Sequence, residues 1–151
     1  MSTLKDRLTA DMRAALKARD ELTTSTLRMA LAAVGNAEVA GKAKRELSDD
    51  EVLAVLTKEA KKRREAAAAF ADAGRAEQAD KETAEGVVLD RYLPKQLSAQ
   101  ELTELVSGAL AAGGYTEKSQ MGAAMKTAQA AVAGRAEGGR VAAEVRRQLG
   151  L

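Results

Sequence analysis

The chain has 151 residues, with 24 Lys+Arg against 22 Asp+Glu, no histidine and no cysteine, and 46% hydrophobic residues led by alanine and leucine. Without cysteine there are no disulfides, thiolate catalysis or cysteine-ligated zinc or iron–sulfur centres, and without histidine the commonest general base and metal ligand near neutral pH is missing. Phe70, Tyr92 and Tyr115 are the only aromatics and β-branched residues are sparse, so the helix formers dominate and predict an all-α protein with a thin core of small and aliphatic side chains.

The first helix is expected from Thr3 to about Arg19, with Leu4, Leu8, Met12, Ala15 and Leu16 on one stripe. A second runs from about Glu21 to Ala40. Leu27, Leu31 and Val34 form its face, broadened by Leu22, Met29 and Ala33, and it stops at Gly41 before the basic connector KAKRE. Ser48-Asp-Asp-Glu51 is a capping box that opens a third helix, buried through Val52, Leu53, Leu56, Ala60, Ala67 and Phe70 as far as Gly74. A fourth spans about Arg75 to Leu93, with Ala79, Val87, Val88, Leu89 and Tyr92 inward.

Pro94 is the only proline. It disfavours α conformation at Leu93 and cannot donate a backbone hydrogen bond, so it ends the fourth helix and marks a seam. Beyond it a second capping box, Ser98-Ala-Gln-Glu101, starts a helix through Leu102, Leu105, Val106 and Leu110 to Gly113-Gly114. Thr116 or Ser119 is expected to cap a segment through Met121, Met125, Ala128 and Val132. Gly138-Gly139 is expected to break the chain before a last helix with Val141, Val145 and Leu149. Two domains follow: long helices over 1–93 and about three short ones over 94–151. Residues 1–93 balance 17 basic against 17 acidic side chains, whereas 94–151 hold 7 against 5, so the net charge of +2 lies after the proline.

Lys58-Glu-Ala-Lys-Lys-Arg-Arg-Glu65 is the densest charge cluster. It reads either as a phosphate-binding ridge of Lys58, Lys61 and Lys62 or, more economically, as a solvated face held by Glu59–Arg63 and Lys61–Glu65 pairs. Gly134-Arg-Ala-Glu-Gly-Gly-Arg140 joins two arginines to a helix start and reads either as an anion grip or as a plain helix–helix turn. Asp49, Asp50 and Glu51 suit a helix N-terminus better than a metal, and Met121 and Met125 suit a core. No GxGxxG, P-loop or serine–base pair is present, so no cofactor and no catalytic residue is assigned. Scattered aromatics make no base-stacking platform. The opening MSTLKDRLTADMRAAL is amphipathic with acids interspersed, and no run of about 18 apolar residues occurs, so a soluble cytoplasmic protein with no membrane partner is expected.

The blocks STLRM, KEAKKRREA and YLPKQLS, set in a pattern that covers nearly the whole chain, closely resemble the GatB/YqeY family. The resemblance implies an N-terminal helical domain and a C-terminal domain similar to the tail of the B subunit of tRNA-dependent Asp/Glu amidotransferase. In that enzyme the tail helps hold tRNA, and the glutaminase and transamidation chemistry lies in parts this chain lacks. The implied function is a noncatalytic accessory protein that binds tRNA, or a tRNA-handling protein complex, with no DNA partner expected. The implied tRNA-contacting residues are Lys95, Gln96, Lys126, Arg135 and Arg140. The alternatives are a component of a glutamine-dependent carbon–nitrogen ligase acting with partners, and a protein–protein adaptor built on the N-terminal helices.

Overall fold

The computed structural model describes residues 3–151. Among them the chain forms seven α-helices and no strand: α1 Leu4–Lys17, α2 Glu21–Glu38, α3 Asp49–Asp72, α4 Ala76–Asp90, α5 Ala99–Gly113, α6 Met121–Val132 and α7 Gly138–Gln148, with one 3-10 turn at Lys118–Gln120. The protein is all-α. Its chain divides into two compact units, one reaching Leu93 and the other running from Pro94 to Leu151.

The first unit is built from α1 to α4. Three of its helices begin where side chains replace missing helical acceptors: Thr3 and Asp6 cap α1 reciprocally at 3.0 and 3.1 Å, and Ser48 and Glu51 cap α3 at 3.2 and 3.4 Å. Asp20 caps α2 by accepting from Thr23 N at 3.1 Å. Asp49 serves two helices, since it stands in the first turn of α3 and its carboxylate accepts from Leu4 N of α1 at 3.0 Å. The core is Leu8, Leu27, Ala30, Val34, Val52, Leu56, Ala60, Val88 and Leu89. α3 packs chiefly on α4, where buried Gly86 faces Arg63 closely enough that an added Cβ would meet the Arg63 Cβ at 3.7 Å.

Three residues expected in this core are exposed instead: Leu16 at 54%, Met29 at 38% and Val87 at 52%. Each sits at the margin of its stripe, next to a smaller or better-centred residue, Ala15, Ala30 or Val88, which takes the inward place. α4 also ends at Asp90, three residues short of the expected Leu93, because tight bonds from Tyr92 N to Leu89 O and Leu93 N to Asp90 O close its last turn.

The second unit packs α5, α6 and α7 around Leu102, Val106, Leu110, Ala124, Ala128, Val132, Ala136, Val141 and Val145, with Met121 and Met125 against that core. Ser98 and Glu101 cap α5 in both directions at 3.1 Å. Neither Thr116 nor Ser119 caps the next segment. The Gln120 amide oxygen accepts from Thr116 N at 2.8 Å and Glu117 N at 3.0 Å, so the turn is organised by the longer side chain. Gly138-Gly139 does not break the chain: these glycines are the first two residues of α7.

Candidate nucleic-acid interface

The sequence-derived residues of the second unit lie mostly around one turn. α6 ends at Val132, and Ala133 and Gly134 adopt left-handed φ of 51° and 77°. That reversal orphans the last carbonyls of the helix. Arg135 turns back to satisfy them, with Nε donating to Val132 O at 2.9 Å and Nη2 to Ala131 O at 3.0 Å. Its planar fork suits this pair of acceptors, and lysine has no equivalent geometry.

The segment after Pro94 is latched onto the same turn. Leu97 N donates to Arg135 O at 2.7 Å. Gln96 Nε2 reaches Pro94 O at 3.1 Å and Gly134 O at 3.4 Å. Arg140 Nη2 donates to Leu97 O at 3.3 Å. Gln96, Arg135 and Arg140 are thereby gathered, and Lys95 stands exposed on the same segment. Lys126 lies on the exposed face of α6, outside this hydrogen-bonded group.

Glu101 is held below the ordinary carboxylate range, first by the Ser98 N–H, then by the Ser98 hydroxyl, with Lys95 and Arg135 adding positive charge. Those two cations therefore share the neighbourhood of the α5 N-terminus. A shallow cavity of about 330 Å³ beside it is lined by Leu97, Glu101, Glu104, Leu105 and Arg135, so two carboxylates and one guanidinium share it. On α7, Arg147 pairs with Glu144 at 3.2 Å through Nε. Lys95, Lys118, Lys126 and Arg146 have no ion pair among the described residues.

The structural roles of Gln96 and Arg135 escape the sequence pattern. One signal is present: an arginine directly after a helix-ending glycine can bond the last carbonyls of that helix.

In the first unit the KEAKKRRE cluster is largely neutralised in place. The two expected pairs are present, Arg63 with Glu59 at 3.4 Å and Lys61 with Glu65 at 3.9 Å, and Lys62 also reaches Glu59 at 3.2 Å. Arg63 is not part of a solvated face, however: it is largely buried and lies 3.5 Å from both Glu82 and Glu85 of α4. Among the described residues, no helix is long and apolar enough to cross a membrane.

No curated protein matches the chain. The family described as Yqey-like protein matches residues 5–149, from the first turn of α1 to the end of α7. The chain belongs to the YqeY-like protein family.

Proposed function

We propose that the chain is a noncatalytic helical accessory protein whose C-terminal unit binds tRNA, or a complex that handles tRNA. The observation that supports this reading is the latch between residues 94–98 and 133–140. It fixes two guanidiniums on backbone carbonyls while leaving them N–H groups to spare, since each arginine carries five. A fork already held in place loses less rotamer freedom when it meets a phosphate. Exposed Lys95 and Lys126 add point charges. Contacts of this kind position RNA by its shape and backbone without reading bases. Glu101 and Glu104 beside the latch weaken the field, so binding is expected to be modest and strongly salt-dependent.

The test is filter binding of the full chain to bulk tRNA at low and moderate salt. Lys95→Ala/Lys126→Ala should weaken binding and lower the salt slope by about two, one per lost phosphate contact. Arg135→Ala is unsuitable here because it would also unseat the turn. Unchanged affinity in the double variant, or no binding by the wild type, rejects the assignment. No amide transfer is expected when the chain is supplied with glutamine, ATP and mischarged tRNA, with or without cellular partners.

A further inference from the structure

In the first unit many cations are spent on carboxylates: Lys5 on Glu38, Arg45 on Glu51, Arg63 on Glu59, Glu82 and Glu85. The corner where α1 turns into α2 differs. Arg13, Lys17, Arg19 and Arg28 have no carboxylate partner among the described residues. Arg19 and Arg28 line one cavity of about 230 Å³, together with Leu16, Glu21, Thr24 and Ser25. The two hydroxyls donate into their own helix, Thr24 to Asp20 O at 2.7 Å and Ser25 to Leu22 O at 3.2 Å, which leaves the guanidiniums as the charged donors.

Arg19 is also strained. Asp20 N donates to Ala15 O at 2.9 Å and Arg19 N to Leu16 O at 3.2 Å, the paired bonds of a Schellman turn, which force Arg19 to φ 59°. The same paired bonds close α3 and α7, where the left-handed position is filled by Gly74 and Gly150. Glycine takes that conformation without steric cost, whereas any Cβ opposes it. α1 instead places a long cationic side chain there, aimed at a cavity that holds a second unpaired arginine. An outlier of this kind points to a functional demand on the position.

We infer that the Arg19–Arg28 cavity binds the backbone phosphate of structured RNA, giving the N-terminal unit an RNA contact of its own. This rests on the tRNA reading above. A protein partner would need a buried apolar anchor cluster, and the cavity offers one exposed leucine, Leu16. Glu21 leaves the cavity lining with one net positive charge, and Arg13 and Lys17, exposed one turn apart on α1, add two more on the preceding helix, which suits a phosphate backbone. Arginine forks match phosphate oxygens two at a time.

Fluorescence anisotropy of the full chain with labelled bulk tRNA tests this, with poly-L-glutamate as a second probe. Arg19→Gly/Arg28→Ala should weaken tRNA binding by about fivefold or more and reduce the salt slope by about two. Its helix content should persist and its thermal midpoint should not fall, because glycine relieves the strained turn. The control Lys58→Ala, on α3 away from the cavity, should bind as the wild type. Equal tRNA affinity in the double variant overturns the inference; if Lys95→Ala/Lys126→Ala still weakens binding, the tRNA reading stands without it. Failure of the wild type to bind tRNA rejects both. Loss of poly-L-glutamate binding alone, with tRNA binding intact, assigns the cavity to an acidic protein and overturns the inference.

Discussion

The Tyr92 hydroxyl donates a 2.6 Å hydrogen bond to Asp11 Oδ2, and the Arg7 guanidinium lies 4.8 Å from the centroid of the same ring. The end of the first unit is thereby tied back to α1. Burial, and then Asp11, push the Tyr92 phenol up to about 12. A raised folded value means that this stabilisation is complete below the unfolded value of about 10 and is lost as pH rises toward about 12. Tyr92→Phe should cost about 1–2 kcal/mol at neutral pH, the range of a hydrogen bond to a charged acceptor in a partly exposed site. Urea denaturation across pH 10 to 12 should then show a smaller alkaline loss in the variant than in the wild type.

Arg63 draws α3 and α4 together through Glu59, Glu82 and Glu85, and the four side chains keep between 5% and 19% exposure. Removing the arginine leaves three carboxylates facing one another. Arg63→Ala should therefore cost about 2–3 kcal/mol, somewhat less than the about 3–5 kcal/mol of a fully buried pair because water still reaches the site. Adding Glu85→Gln to that variant should recover part of the loss, since one repelling charge is removed. Urea denaturation of the two single variants and the double variant reads this coupling, and additive costs would show that Arg63 and Glu85 act independently.

The helices were legible because their signals are local. Ser48–Glu51 and Ser98–Glu101 satisfy backbone donors three residues away, and no distant partner is needed to recognise them. Thr3–Asp6 is a capping box of the same kind, hidden by aspartate in place of the usual glutamate or glutamine. The inward face was harder to read. Leu16 is more hydrophobic than its neighbour Ala15 and Val87 is chemically identical to Val88, yet Ala15 and Val88 are the buried ones, because the packing of neighbouring helices decides which position points in. The candidate site was legible only as a list of residues. That Gln96, Arg135 and Arg140 share one turn depends on pairing residues 94–98 with 133–140, a contact across about 40 positions that no local pattern encodes.

Two carboxylates should govern the acid limb of stability. Arg45, followed by the Ser48 N–H, holds Glu51 down to about 2, and Arg147, with Gln148 assisting, holds Glu144 down to about 2. Depressed folded values mean that each contribution is present above the ordinary 4.5 and disappears as pH falls toward about 2. Glu51→Gln and Glu144→Gln should each flatten the decline of the thermal midpoint over that interval. Carboxyl carbon NMR titration should show both groups ionised well below pH 4.5.

Arg135 gives the sharpest distinction between charge and shape. Its two bonds, to Val132 O and Ala131 O, close a turn in which Ala133 holds a left-handed φ of 51°, a conformation that opposes its Cβ. If positive charge at the end of α6 were the main contribution, Arg135→Lys would preserve it through the helix dipole. If the fork is required, lysine would leave at least one carbonyl unsatisfied and the turn less well held. The geometry favours the fork, because the acceptors are adjacent carbonyls reached by Nε and Nη2 of one plane. Arg135→Lys should therefore cost about 1 kcal/mol and Arg135→Ala about 1–2 kcal/mol. Hydrogen exchange should rise first at Leu97 N, whose 2.7 Å bond ends on the Arg135 carbonyl. A lysine variant with wild-type stability and undisturbed exchange at Leu97 would show that charge alone suffices.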